Sequence, residues 1–366
     1  MSGPELYMRK GDDSNAMGFM PQLDGLRAVA CLMVMFSHFA PSGWLVRDML
    51  PWGGLGVRLF FVLSGFLITG ILLDCRECGK QGTPLTRQFR QFYARRFLRI
   101  FPLYYGLLLI LWLIDYGLAR ESILVHLLYL QNLWRCVEGG SYANHLWSLA
   151  VEEQFYLVWP FLVLMGPRRW LPFMMLGLVP GAFIFRLALW QGDASFLYLN
   201  IFTLSNVDTL GAGAWLAWCW RNPLWRARFE LAAPFMLFAG LLLLAPIMAM
   251  RLQTPGDIRT PLLFLGLAAS LCFAPMVHAA ARGVEGLPGR LISLRALRYL
   301  GKISYGLYVV HPFIRTWYYW AGFRDALSPV FEMAVLSLIS VLAAACLWHG
   351  FERPLNDLKR HFPYAT

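Results

Sequence analysis

The feature that most constrains this chain is a succession of apolar runs, each about as long as a membrane crossing, separated by short basic bursts. A helical span needs roughly 20 mostly apolar residues, because hydrocarbon offers no partners for backbone N–H and C=O groups. Ten runs reach that length: about 25–46, 54–74, 97–117, 145–166, 170–190, 203–220, 231–251, 261–281, 299–320 and 329–349. Composition agrees. Hydrophobic residues make up 58% of the chain and charged residues 14%, whereas soluble domains carry about 25% charge. Too little charge remains to coat a water-soluble fold. The runs predict an all-α polytopic membrane protein with about ten transmembrane helices. The stretch 121–134 is too short and too polar to cross, and reads as an interfacial or re-entrant helix.

Basic residues set the orientation. With the N-terminus in the cytoplasm, the loops and tails on that side hold 23 of the 32 Lys and Arg. By the positive-inside rule this predicts N-in, C-in and an even number of spans. Residues 1–20 then form a mobile cytoplasmic tail, 21–355 the membrane domain and 356–366 a cytoplasmic C-terminal tail. The first run has a polar centre and no small-residue cleavage site after it, so it reads as a retained span rather than a signal peptide. The net charge of +11 is spread between the runs rather than gathered on a face, which argues against a nucleic-acid partner. Membrane lipids are the expected surroundings. Seven dispersed Cys give no disulfide framework, and the Cys75/Cys78 pair lacks the partners of a zinc site, so no metal is expected. Phosphate-binding glycine loops, HExxH and GxSxG are absent from the sequence, as is an internal repeat.

Ionisable groups inside spans are costly and are candidates for function. His38 lies eleven residues after Arg27, three helical turns plus about 20°, so the two point the same way about 16 Å apart. His145 and Glu152, seven apart, share one face of the fourth run, with Trp147 between them; Glu153 points about 100° away. Arg96 and Arg99 share a face where the third run begins, and two guanidinium forks suit a phosphate-bearing ligand. Ser304, Tyr308 and His311 form one stripe of the ninth run. Asp208 sits among small residues, and Ser64-Gly65 marks a close helix crossing. Each of these also admits a plainer reading: a packing His, a structural ion pair, positive-inside anchoring, or interhelical hydrogen bonding. Anchoring is preferred for Arg87, Arg90 and Arg95.

Six segments occur in a telling order: Leu23-Asp-Gly-Leu-Arg-Ala with His38; Leu59-Phe-Phe-Val-Leu-Ser-Gly-Phe-Leu-Ile-Thr; Phe92-Tyr-Ala-Arg-Arg-Phe-Leu-Arg-Ile-Phe-Pro; Leu146-Trp-Ser-Leu-Ala-Val-Glu-Glu-Gln-Phe-Tyr; Ile303-Ser-Tyr-Gly-Leu-Tyr-Val-Val-His-Pro; and Glu352-Arg-Pro. Together, over about residues 20–355, the chain resembles the acyltransferase-3 family of integral membrane O-acyltransferases. The resemblance implies an acyl-CoA-dependent O-acyltransferase of the bacterial cytoplasmic (inner) membrane. Such an enzyme moves an acyl group, acetyl by default, from cytoplasmic acyl-CoA to a hydroxyl of a carbohydrate or lipid-linked glycan. In the family the His matching His38 is taken as catalytic, accompanied by Arg residues matching Arg27, Arg96 and Arg99. The mechanism expected from this gives those three arginines the CoA phosphates, His38 the role of general base and Glu152 that of orienting the imidazole. Ser64, His145, Trp147, Asp208, Tyr308 and His311 are the expected supporting or substrate-binding residues. Many relatives carry an extracytoplasmic SGNH domain; the stand-alone form without it is expected here. Two other readings stay open. A transporter or flippase would use the same groups as a relay, and a scaffold would use them only for stability.

Overall fold

The computed structural model describes residues 20–139, 143–254, 256–324 and 326–364. The tail expected over 1–20 therefore lies, except for Met20, outside the described residues. Ten long helices match the ten apolar runs: α1 Pro21–Phe39, α2 Trp52–Lys80, α3 Leu85–Leu113, α4 Trp147–Met165, α5 Leu171–Gln191, α6 Val207–Arg221, α7 Pro223–Gln253, α8 Arg259–Arg282, α9 Ser304–Trp320 and α10 Pro329–Leu347. Among the described residues there is no strand. Seven of the ten are long and apolar enough to cross a membrane on their own composition: α2, α3, α4, α5, α7, α8 and α10. The chain is an all-α, multi-pass membrane protein.

The other three, α1, α6 and α9, have 19, 15 and 17 residues. They carry Arg27 and His38, Asp208, and the Ser304–Tyr308–His311 stripe. A helix with such side chains is tolerated in a membrane protein only where neighbouring helices enclose it.

Hydropathy marks the membrane, not the helix, and this explains where the boundaries moved. The predicted runs 54–74 and 97–117 become α2 and α3, which extend through the basic stretch around residues 75–96. Arg, Gln, Lys and Glu are good helix formers, so the helices continue beyond the apolar part. The stretch 121–134 is not one helix but two short ones, Ala119–Leu127 and Gln131–Glu138. The chain breaks between them at Tyr129, whose φ is 53°. Leu124, Leu128 and Val137 are exposed on this pair, while His126, Gln131 and Asn132 are buried.

Burial separates an inner layer from a lipid-facing one. The apolar windows of α2 and α8 are 78% and 72% buried, against 11%, 17% and 17% for α7, α5 and α10. Around α2 the helices cross backbone to backbone. The position a Cβ would take on Gly65 is filled by the Leu210 carbonyl, and on Gly213 by the Val62 carbonyl. Small residues at such crossings let helices approach where no hydrophobic force drives them together. The close crossing expected at Ser64-Gly65 is therefore that of α2 with α6.

Contacts at the helix ends sort the loops into two groups. At one end, Gln22 donates to the Val284 carbonyl at 3.0 Å, Arg221 pairs with Asp74 at 2.7 Å, Arg168 pairs with Glu77 at 2.9 Å and Arg95 donates to the Phe362 carbonyl at 3.1 Å. This basic end gathers the start of α1, the ends of α2, α4 and α6, the start of α3 and the C-terminal segment. At the opposite end, Arg315 donates to the His38 carbonyl at 2.6 Å, Arg251 donates to the Asp48 carbonyl at 3.0 Å and Arg259 pairs with Asp193. The first helix begins and the last segment finishes at the same end, as an even number of crossings requires.

One buried ion pair ties α5 to α6. Arg186 and Asp208, both fully buried, meet at 2.7 Å, and Arg186 also donates to the Leu263 carbonyl of α8 at 3.1 Å. Replacing Asp208 by Ala leaves a buried cation uncompensated, and is expected to remove roughly 3–5 kcal/mol of stability. Gly213→Leu is expected to cost about 1–3 kcal/mol by overpacking the α2–α6 crossing. Thermal unfolding in detergent reads both, and wild-type melting of either variant would show that these contacts do not hold the helices.

Candidate active site

The basic end opens into a cavity of about 230 Å³ between α1, α2, α3, α4 and α9. It brings together Arg27 from α1, Ser64 from α2, Arg96 and Arg99 from α3, Glu152 from α4 and Tyr308 from α9. The spacing of three that puts Arg96 and Arg99 on one helix face delivers both guanidinium groups here. Arg27 is paired with Asp24 at 3.0 Å. Among the described residues, no carboxylate lies within ion-pairing distance of Arg96 or Arg99. Two guanidinium groups thus converge on one cavity beside the Glu152 carboxyl, a donor arrangement suited to an anion.

His38 sits at the other end of α1 and faces a second cavity, of about 300 Å³, with His145, Trp147 and Phe313. Its Nδ1 is 2.7 Å from Nε2 of His311. The proton arrangement follows from the partners. His311 Nδ1 lies 2.8 Å from the Tyr308 carbonyl and 3.2 Å from that of Leu307. Carbonyls only accept, so with neutral rings Nδ1 of His311 carries the proton and its Nε2 accepts. His38 must then donate from Nδ1, which leaves a lone pair on its Nε2. The same logic gives His145 a protonated Nε2, since that atom is 3.0 Å from the Val309 carbonyl. Arg315, one turn beyond His311 on α9, fixes the backbone of His38 through its carbonyl at 2.6 Å.

The two cavities lie back to back. Ser148 and Tyr308 line the first, and the neighbouring Trp147 and His145 line the second. Between them Ser148 Oγ and Tyr308 Oη are 2.6 Å apart, and Tyr308 Oη also donates to the His145 carbonyl at 2.8 Å. The three arginines and His38, expected to serve one reaction, thus lie in two chambers with a hydrogen-bonded partition.

Other expectations shift residue by residue. Glu152 accepts from Ser64 Oγ at 2.6 Å in the cationic chamber. The side chain bonded to the His38 ring is that of His311, so His311, not Glu152, orients it. Asp208, expected to support the site, instead pairs with Arg186 among α5, α6 and α8, because its face of α6 turns toward α5 rather than toward the cavities. Arg315, Ser148 and Arg135 were not singled out. Arg315 carries a sequence signal, its spacing of four from His311; Ser148 lies within Leu146-Trp-Ser-Leu-Ala-Val-Glu-Glu; Arg135 carries none.

With this geometry in view, comparison with known proteins is informative. The acyltransferase domain family matches residues 20–349. The chain belongs to this family of membrane acyltransferases. It is 30% identical over 92% of its length to YrhL of Bacillus subtilis, which bears the designation peptidoglycan O-acetyltransferase provisionally, covering 55% of that protein. It is 29% identical to the peptidoglycan O-acetyltransferase OatA of Listeria monocytogenes, over 80% of this chain and 49% of the relative. It is 26% identical to the O-acetyltransferase OatA of Staphylococcus aureus, over 92% and 57%. The chain spans about half the length of these curated relatives. No solved structure matches it.

The proton arrangement is directly measurable. Histidine ¹⁵N spectra of the protein in nanodiscs, assigned with His38→Gln and His311→Gln, are expected to show His38 protonated on Nδ1 and bare on Nε2. A proton on Nε2 of His38 would contradict the hydrogen-bond chain.

Proposed function

We propose that this protein is a membrane O-acyltransferase that moves an acyl group, acetyl by default, from acyl-CoA at the basic end to a carbohydrate hydroxyl at the opposite end. The observation that carries the reading is the pairing of an anion-binding chamber with a second chamber that holds a histidine with a free ring nitrogen. The names of the relatives support acetyl as the group and a peptidoglycan-like glycan as the acceptor. The concentration of Lys and Arg at the first chamber supports its placement in the cytoplasm, and the bacterial relatives support the inner membrane.

The chemistry follows from the residues. A CoA phosphate is multiply anionic, and Arg96 and Arg99, with Arg27 beside them, supply forked donors for it. A hydroxyl is a poor nucleophile until a base takes its proton. Nε2 of His38 accepts the acceptor's proton as that oxygen attacks the thioester carbonyl. The C–S bond breaks, the ester forms, and the departing CoA sulfur takes the proton from His38. While His38 is cationic, its Nδ1–H remains bonded to Nε2 of His311, an interaction that strengthens with the charge. The thioester and His38 meet only when the Ser148–Tyr308 contact parts, which confines the reactive carbonyl until the acceptor chamber can be reached.

The primary test is thiol release from acetyl-CoA by the purified protein in nanodiscs, with and without a surface-glycan extract. Wild type is expected to release thiol only with the extract, and His38→Ala to lose at least about 10²–10⁴-fold of that rate. Arg99→Gln is expected to raise the KM for acetyl-CoA about 10-fold or more with a smaller effect on kcat. Wild-type turnover in His38→Ala would overturn the mechanism. Proton-coupled uptake without thioester consumption would favour a transporter instead.

A further inference from the structure

The chamber that holds His38 contains an unspent cation. Arg135, on the short helix Gln131–Glu138, lines it together with Trp147, Tyr116 and Asn144. Arg135 Nη1 donates to the Asn144 carbonyl at 3.2 Å, while its Nε is buried with no partner among the described residues. No described carboxylate lies within ion-pairing distance of it, and the stretch Gly140-Ser141-Tyr142 contains no acid. The other cations near this end are engaged. Arg315 holds the His38 carbonyl and the Tyr319 hydroxyl at 3.1 Å, and Arg47 pairs with Asp48 at 3.5 Å. A partly buried, unpaired guanidinium is costly. Here it lies at the end of the protein that is otherwise poor in Lys and Arg, so neither anchoring nor an ion pair among the described residues accounts for it.

We infer that the second chamber takes its acceptor as an acidic sugar whose carboxylate is held by Arg135 while its reactive hydroxyl faces Nε2 of His38. Arg presents parallel N–H donors that match a carboxylate. A single Arg suits a monoanion, in contrast to the converging Arg96 and Arg99 of the first chamber, which suit phosphates. The rings of Trp147 and Tyr116 offer apolar faces for the C–H side of a pyranose, and Asn144 and Thr316 offer polar contacts for its hydroxyls. Arg135 is on this inference a specificity-determining residue: an acceptor without the carboxylate leaves the half-buried guanidinium without an anion, which is how polar sites discriminate against analogues. The inference rests on the proposed acyl transfer.

The test uses the full chain in nanodiscs, acetyl-CoA, and two acceptors: a glucosamine–muramic acid disaccharide with its lactyl carboxylate free, and the same disaccharide as its carboxamide. Ester formation is followed by mass spectrometry. Wild type is expected to favour the acid over the amide by about 10- to 100-fold in kcat/KM, the ratio given by a hydrogen bond to an ionised group. Arg135→Gln is expected to bring that ratio to about one, chiefly through the KM of the acid, and Arg135→Lys to keep part of it. Equal use of both acceptors by wild type, or an unchanged ratio in Arg135→Gln, overturns the assignment of Arg135 while leaving the acyltransferase reading in place. Use of neither acceptor, with no thiol released, overturns the acyl-transfer reading and this inference with it.

Discussion

A polar side chain cannot be left against hydrocarbon, and the arrangement of this protein depends on that constraint. α1, α6 and α9 carry Arg27, His38, Asp208, Tyr308 and His311, and they are the three helices too short or too polar to cross unaided. Longer, almost wholly apolar helices surround them, with α5, α7 and α10 turning most of their surface outward. The close crossing of α2 with α6, made at Gly65 and Gly213, lets the two backbones touch. The enclosed charge then divides in two. Asp208 and Arg186 neutralise each other and join helices, while Arg96 and Arg99 make no ion pair among the described residues and face a cavity that they share with Glu152.

That division separates structural from chemical polar groups. Paired and fully buried, Asp208 has no ligand to meet. Among the described residues His38 has a partner on one ring nitrogen only, and its orientation is fixed from α9 twice: through the ring by His311 and through the backbone by Arg315. Held through Nδ1 by a second imidazole, His38 turns a bare Nε2 to the chamber. On the proposed function, the partition formed by Ser148 and Tyr308 keeps anion binding and proton transfer in different chambers. This is the geometry expected where donor and acceptor approach from opposite ends.

Much of the fold was legible in the sequence because hydrophobic run length is a physical requirement of the bilayer. All ten runs correspond to helices, and the shared end of the first and last helices agrees with the distribution of Lys and Arg. Helix limits were less legible, since α2 and α3 continue past the apolar part on helix-forming charged residues. Intrahelical spacing correctly grouped Arg96 with Arg99 and Tyr308 with His311. Spacing says nothing of which neighbouring helix a face meets, so Glu152 was matched to His38 although its partner is Ser64. The same gap hid the role of Asp208 and the contribution of Arg135, which comes from a short helix whose sequence gives no hint of the cavity it lines.

The most direct measurement is made across a membrane. Proteoliposomes with the protein in one orientation receive radiolabelled acetyl-CoA on the side of the basic loops and a muramoyl glycan only on the other. Label is predicted to appear in the glycan, in step with thiol released on the donor side, for wild type and not for His38→Gln. Glycan labelling that requires both substrates on one side, or that persists in His38→Gln, would contradict transfer through the two chambers.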